Sequence, residues 1–232
     1  MPQIKCDLHI HTEASADGHC PVTAIIDMAK KRGFDAIAIT DHDTTTGAKE
    51  AIALENPGIL IIPGIEVSTK SGHVLVLGTT KEYEPGKSAA ETIREAKEDG
   101  CLVIIPHPYH MFRHAVGLHE EDALSMADAL EAYNSRYYFN TSNEAAAKKA
   151  KELNKPITAG SDAHECEFVG NGINLIDAEE RSIDSIFKSI KEGKIKATCV
   201  KTPSKTYALE SANNVKRKIK KYAGKLLGHK RS

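Results

Sequence analysis

The sequence predicts an α/β protein built on a mainly parallel sheet. Three observations carry that expectation. Short apolar runs recur along the chain, among them AIAIT at 36–40, VLVL at 74–77 and LVII at 102–105. Stretches with helical spacing of apolar residues lie between them. Glycine or proline punctuates several of the boundaries. Such alternation places parallel strands side by side with helices on their faces, and an open sheet and a barrel satisfy it equally. At 232 residues and 41% hydrophobic content, the chain can bury one sizeable core.

The elements follow in order. Ile4–Ile10 reads as a strand. Pro21–Arg32 reads as a helix, opened by its proline and stopped by Gly33. Ala36–Thr40 is a strand, Gly47–Leu54 a helix, and Ile59–Pro63 and Val74–Leu77 are buried strands. Ser88–Asp99 is a helix ending at Gly100, and Leu102–Ile105 a strand. A long loop from His107 to about Ala123 carries His110, Arg113, His114 and His119; loops of that length in compact domains are often functional. Ala127–Ala132 is a strand, Asn143–Leu153 an Ala/Lys-rich helix, Ile157–Ala159 and Ile173–Ile176 strands, Ser182–Glu192 a helix and Lys196–Val200 a strand. A basic helix from about Leu209 to Leu227 closes the chain.

Composition narrows the function classes. No apolar stretch approaches the roughly 20 residues that span a bilayer, and nothing resembles a signal peptide; a cytoplasmic protein is expected. Five scattered cysteines without a CxxC pair argue against a disulfide framework and against a thiolate zinc site, and free thiols suit a reducing compartment. The net charge of −1 hides an asymmetry. From Lys191 onward 13 Lys/Arg face 2 Asp/Glu, a balance of +11, so residues 1–190 carry −12. The acidic body suits a carboxylate-rich metal site. The basic end suits a solvated face, an RNA contact or a membrane surface, in that order.

The chemistry lies where apolar strands end. Asp7, His9 and His11 alternate at the end of the first strand, and side chains two apart on a strand share a face. Asp41 and His42 end AIAIT, Glu66 follows LIIPGI, His73 opens VLVL, His107 follows LVIIP, and Asp162 and His164 follow PITAG. Ligands in parallel α/β proteins gather at the carboxyl ends of strands. Nitrogen and carboxylate donors without thiolates suit Zn²⁺, Mn²⁺ or Fe²⁺. There are too many donors for one ion, so two or three ions sharing a carboxylate are expected. Such clusters polarise a phosphoryl oxygen, activate a bound water and stabilise the leaving oxygen, which makes hydrolysis the expected reaction.

The runs DLHIHTEASADG, TDHDTTTG, PGIEVS, IPHP and GSDAH, in this order over roughly residues 4 to 176, resemble the PHP (polymerase and histidinol phosphatase) family. The SADG variant and the small size are most similar to its nucleoside 3′,5′-bisphosphate phosphatases and 5′-to-3′ exoribonucleases. The resemblance implies a distorted (β/α)7 barrel and a trinuclear centre; the barrel domain is expected over residues 1–200, and the charge pattern adds a basic helical extension over 201–232. It implies that His9, His11, Glu66 and Asp162 hold one ion, that Glu66 bridges to a second held by His73 and His107, and that Asp17, His42 and His164 hold the third. The nucleophile it implies is a metal-activated hydroxide, acting on a phosphorylated small molecule, nucleotide or RNA end. The alternatives are a histidinol-phosphatase-like metabolite phosphatase and a nucleic-acid-binding module with structural metals.

Other residues have supporting roles to fill. Asp7 and Asp41 are expected either to orient ligand histidines or to make plain strand-end hydrogen bonds. Asp43 is a candidate proton shuttle, with helix capping as the simpler role. Arg136, Arg113 and His110 are candidate phosphate holders. Tyr109, Tyr137, Tyr138 and Phe139 are candidates for stacking on a base or for ordinary packing.

Overall fold

The computed structural model describes residues 2–55, 57–110, 115–137 and 140–203. Arg113, His114, Tyr138, Phe139 and the basic helix lie outside these residues. One compact unit spans Met1–Lys201. Its elements run β1 (Gln3–Asp7), α1 (Val22–Lys31), β2 (Ala36–Ile39), α2 (Thr46–Ala53), β3 (Leu60–Ser68), β4 (His73–Leu77), α3 (Ala89–Glu98), β5 (Leu102–Ile105), α4 (Val116–His119), β6 (Ala129–Asn134), α5 (Asn140–Glu152), β7 (Ile157–Gly160), β8 (Gly172–Asp177), α6 (Ile183–Lys191) and β9 (Ile195–Cys199).

The sheet order is β7-β6-β5-β4-β3-β2-β1-β8-β9. Beyond their strands, the ends of β1 and β7 meet. Ile10 and Ala163 form a parallel bridge, Asp162 N donates to His9 O at 2.8 Å and His11 N to Ala163 O at 2.9 Å. Below this seam the Asn174 amide stands in for a missing ladder: Ala159 N donates to its Oδ1, and its Nδ2 donates to Ala159 O and Cys6 O. β1 to β7 thus form a nearly closed, barrel-like ring.

The expected mainly parallel sheet is corrected to a mixed one, and among the described residues the elements do not follow a strict (β/α)7 repeat. β4 runs antiparallel to both β3 and β5, and β8 and β9 add two further antiparallel pairings. β3 and β4 are joined by the short turn at 69–72, so no helix separates them. β3 also runs on past Pro63 to Ser68, which sets Glu66 inside a strand. β1 stops at Asp7, so His9 and His11 sit on the seam. The loop after His107 contains α4 and a 3-10 turn at Glu121–Ser125.

Alternation along the strands sorts the core into layers. Ala38, Ile62, Leu75, Leu77, Leu102, Ile104 and Ala129 point into the ring, where Ile186, Phe187 and Ile190 of α6 plug its amino-terminal end. Ile37, Ile39 and Ile61 point outward beneath α1 and α2. Val76, Val103 and Leu130 do the same beneath α3 and α5. α1 buries Val22, Ile25, Ile26 and Ala29, one stripe at helical spacing, and the chain turns away at Gly33 with φ of 67°. α3 starts on a capping box in which Ser88 accepts from Glu91 N and Glu91 accepts from Ser88 N. With the lower interior filled by apolar side chains, the polar residues that share the inward face gather at the carboxyl end.

The free-thiol expectation is corrected as well. Cys20 and Cys166 form a disulfide across 146 residues, while Cys6, Cys101 and Cys199 are free. The bridge ties the segment after β1 to the segment after β7. Cross-linking a loop of this length removes denatured-chain entropy amounting to roughly 5 kcal/mol at most. Thiol titration in denaturant without reductant should therefore count three thiols, and reductant should lower the chemical denaturation midpoint of metal-free protein; five thiols would exclude the bridge.

Candidate metal centre

Glu66 sits at the middle of the upper interior, 1% exposed, because Ile62, Gly64 and Glu66 alternate onto the inward face of β3. Its two oxygens face different partners. Oε1 lies 3.0 Å from His73 Nδ1 and 3.1 Å from His107 Nε2. Oε2 lies 3.2 Å from both His9 Nε2 and His11 Nε2, and 3.3 Å from His42 Nδ1. Asp162 Oδ1 approaches His11 Nε2 at 3.5 Å and His9 Nε2 at 3.9 Å. Asp17 Oδ2 lies 3.2 Å from His164 Nε2 and 3.8 Å from His42 Nε2. All nine sequence-derived ligand candidates thus come together in one centre, with Glu66 at the junction.

The donors converge in a manner suited to cations. His9 Nε2 and His11 Nε2 point at each other across 3.1 Å, and two lone pairs in that position repel unless a proton or metal ion lies between them. His42 Nδ1 and His73 Nδ1 are buried without a hydrogen bond, although a Glu66 oxygen is near each. Four groups of three or more donors, each confined within 4.8 Å, occur here: His11, Asp17, His42 and His164; His9, His11 and Glu66; His9, His107 and Asp162; and His42, Glu66 and His73. These nitrogen and oxygen donors fit divalent ions, with room for more than one. The backbone is strained at the same place. His107, Asp162 and Asp43, beside His42, have φ of 31°, 49° and 54°, a left-handed region that packing must enforce for non-glycine residues.

Protonation of the metal-free centre follows from its crowding. Burial disfavours charge on His11, yet hydrogen bonds to Asp162 and Glu66 outweigh it and raise the ring to about 9. Burial opposes charge on His9 too, but Glu66, Glu131 and Asp162 hold it well above its ordinary value. Burial and neighbouring cationic groups push His42 down to about 4 and His164 to about 3. Burial alone would raise Glu66 and Asp17, but the surrounding histidines hold both well below the usual carboxylate range.

Asp7 and Asp41 do not orient histidine rings, which corrects that expectation. Asp7 accepts from the backbone N–H of His9, Ser161 and Gly170, and burial raises its carboxyl to about 6. Asp41 accepts from Thr12 N and Thr12 Oγ1, fixing the turn that carries Asp17. Asp43 does not cap α2; its Oδ1 accepts from Ser68 N at 2.7 Å. The residue that holds a candidate ligand ring is Glu131, whose carboxylate lies in hydrogen-bond contact with His9 Nδ1 at 3.0 Å. It was missed, and the available signal was one acid inside the apolar run ALEAYN. Arg136 lies at the rim against His164 and 3.4 Å from Asp162 Oδ1. His110 stacks on Tyr137, with ring centres 5.1 Å apart.

A polar, histidine-rich centre at the carboxyl end of a barrel-like α/β ring defines a class of metal-dependent hydrolases. Relatives narrow it. A family described as PHP-associated matches residues 140–195. An uncharacterised protein of Methanocaldococcus jannaschii is 36% identical over 162 residues, covering 65% of this chain and 94% of that protein. The 5′-3′ exoribonuclease of Haemophilus influenzae is 44% identical over 105 residues, 43% of this chain but only 38% of that enzyme. The fold superposes with a TM-score of 0.71, at 22% identity, on a two-domain Bacteroides vulgatus protein described as containing a predicted PHP-like metal-dependent phosphoesterase, covering 86% of this chain and 65% of that one. The chain belongs to the PHP family.

Because ions must displace protons from His9 and His11, loading at neutral pH should release protons. Calorimetry in buffers of different ionisation enthalpy should detect this. Apparent affinity should rise about tenfold per pH unit for each proton displaced, with the His11 contribution lost above about 9. Affinity independent of pH between 6 and 9 would contradict the arrangement.

Proposed function

We propose that this chain hydrolyses phosphate esters of nucleotides or RNA ends, with two to three divalent ions held by the nine residues of the centre. The observation that supports it most is the Glu66 carboxylate, whose oxygens face separate histidines, His73 and His107 on one side and His9, His11 and His42 on the other, in the way a shared ligand requires. When bound, the ions supply Lewis acidity toward phosphoryl oxygens and bring a water toward ionisation at neutral pH.

The chain's own groups do the rest. Asp162 and His164 hold the Arg136 guanidinium at the rim, where its planar fork suits two phosphate oxygens. His110, part-exposed and backed by the buried Tyr137 ring on which it stacks, is a candidate platform for a base or for the sugar-phosphate beside it. Asp43 is occupied in fixing β3 and is left out as a proton shuttle. The nucleotide branch is favoured over a metabolite phosphatase by the match to an exoribonuclease. No helix among the described residues is long and apolar enough to cross a membrane.

Incubation with Mn²⁺ should release phosphate from adenosine 3′,5′-bisphosphate or mononucleotides from a 5′-phosphorylated RNA, and chelation should abolish both. Arg136→Ala should raise KM about 10- to 100-fold, the loss of one charge-assisted contact of ~1.5–3 kcal/mol, with ion content unchanged. Turnover of histidinol phosphate alone would redirect the assignment to metabolite chemistry. No turnover with ions bound would favour a binding module.

A further inference from the structure

We propose that Glu131 and Asn134 of β6 form a positioning bracket that fixes His9 and Asp162 for ion binding, although neither residue is among the ligands. The inference rests on the reading of the centre as a metal site. β6 is flanked by β5 and β7, which lead to His107 and Asp162, yet it supplies no ligand of its own. What it supplies is a pair of inward polar side chains three residues apart.

On a regular strand, residues three apart face opposite sides. Here the register with β7 slips between Glu131 and Tyr133. Glu131 pairs with Thr158 and Asn134 with Gly160, so the irregularity returns Asn134 to the face that Glu131 occupies. Glu131 is 1% exposed, as is Asn134. Glu131 Oε1 accepts from His9 Nδ1 at 3.0 Å, and Oε2 accepts from His107 N at 3.1 Å and Asn134 Nδ2 at 2.9 Å. Asn134 Nδ2 also donates to Asp162 Oδ2 at 3.2 Å, leaving the other oxygen, Oδ1, facing His9 and His11. The bracket therefore touches three strand ends at once.

The consequence for His9 is a choice of tautomer. With Nδ1–H bonded to a carboxylate, Nε2 is the nitrogen that presents a lone pair to the cluster, and the carboxylate makes it a better donor. Space for this contact is reserved by Gly160. A Cβ there would lie 1.8 Å from Glu131 Oε1 and 2.7 Å from His9 Cβ, so any larger residue would displace the carboxylate.

The test uses Zn²⁺-loaded protein and chelator competition. In the wild type, long-range ¹⁵N–¹H correlation should show His9 protonated at Nδ1, with a low-field proton, and Nε2 bound to metal. In Glu131→Gln that low-field resonance should shift upfield or vanish. The affinity of the ion held by His9 should fall about 10- to 100-fold, the usual range for such outer partners. Gly160→Ala, whose Cβ would press on both the Glu131 carboxylate and His9, should weaken binding as well. If Glu131→Gln fails to fold, Asn134→Ala, which removes the donor shared by Asp162 Oδ2 and Glu131 Oε2, should still weaken binding. Affinities within twofold of wild type in the folded variants, with the His9 resonance unmoved, would overturn the bracket. A wild type that binds no ion would instead overturn the metal reading beneath it.

Discussion

The architecture depends on a concentration of buried negative charge. Glu66, Glu131 and Asp162 are each about 1% exposed or less within the upper ring. An isolated carboxylate in such a place is strongly disfavoured, and proteins neutralise it, pair it or give it to a metal. In the metal-free chain the histidines do this, with His9 and His11 held protonated by the very oxygens they face. Divalent ions would do it with more charge in less space. Strand spacing, the seam and the strained residues at the strand ends all serve to keep these carboxylates close together.

Separation of the interior into two layers makes this tolerable. The lower layer is apolar and sealed by α6, so the polar cluster has no path into the core. The same alternation that points Ile62 and Leu75 inward also turns inward Glu66, four residues beyond Ile62, and His73, two residues before Leu75. One face of the same strands thus supplies both the packing and the chemistry, with no dedicated loop required for the central carboxylate.

Much of this was legible in the sequence because the ligands come in spaced sets: His9 with His11, Asp162 with His164, and an acid or histidine at most strand ends. What stayed hidden had no local signature. VLVL carries no mark of direction, so the antiparallel β4 could be recognised only from the brevity of the turn at 69–72. Cys20 and Cys166 are 146 residues apart, and no spacing rule joins them. Glu131 looked like one stray acid, and the slip in β6 that brings Asn134 beside it depends on pairing with β7, which lies more than 20 residues on. Asp7 and Asp41 misled because strand-end aspartates satisfy backbone N–H groups as readily as they hold a ring.

The seam between Ile10 and Ala163 also bears on how the protein is made. The centre draws on residues from the first strand's end and from beyond the seventh, so a chain emerging from the ribosome holds an incomplete donor set until residue 164 is available. Contacts this far apart form late, because the closure entropy of the intervening chain must be overcome first. Ions therefore have little to grip in early intermediates and act chiefly by favouring the closed ring once it exists. Bound ions would then add to the stability of the finished ring, while the order of assembly is left to the apolar layer.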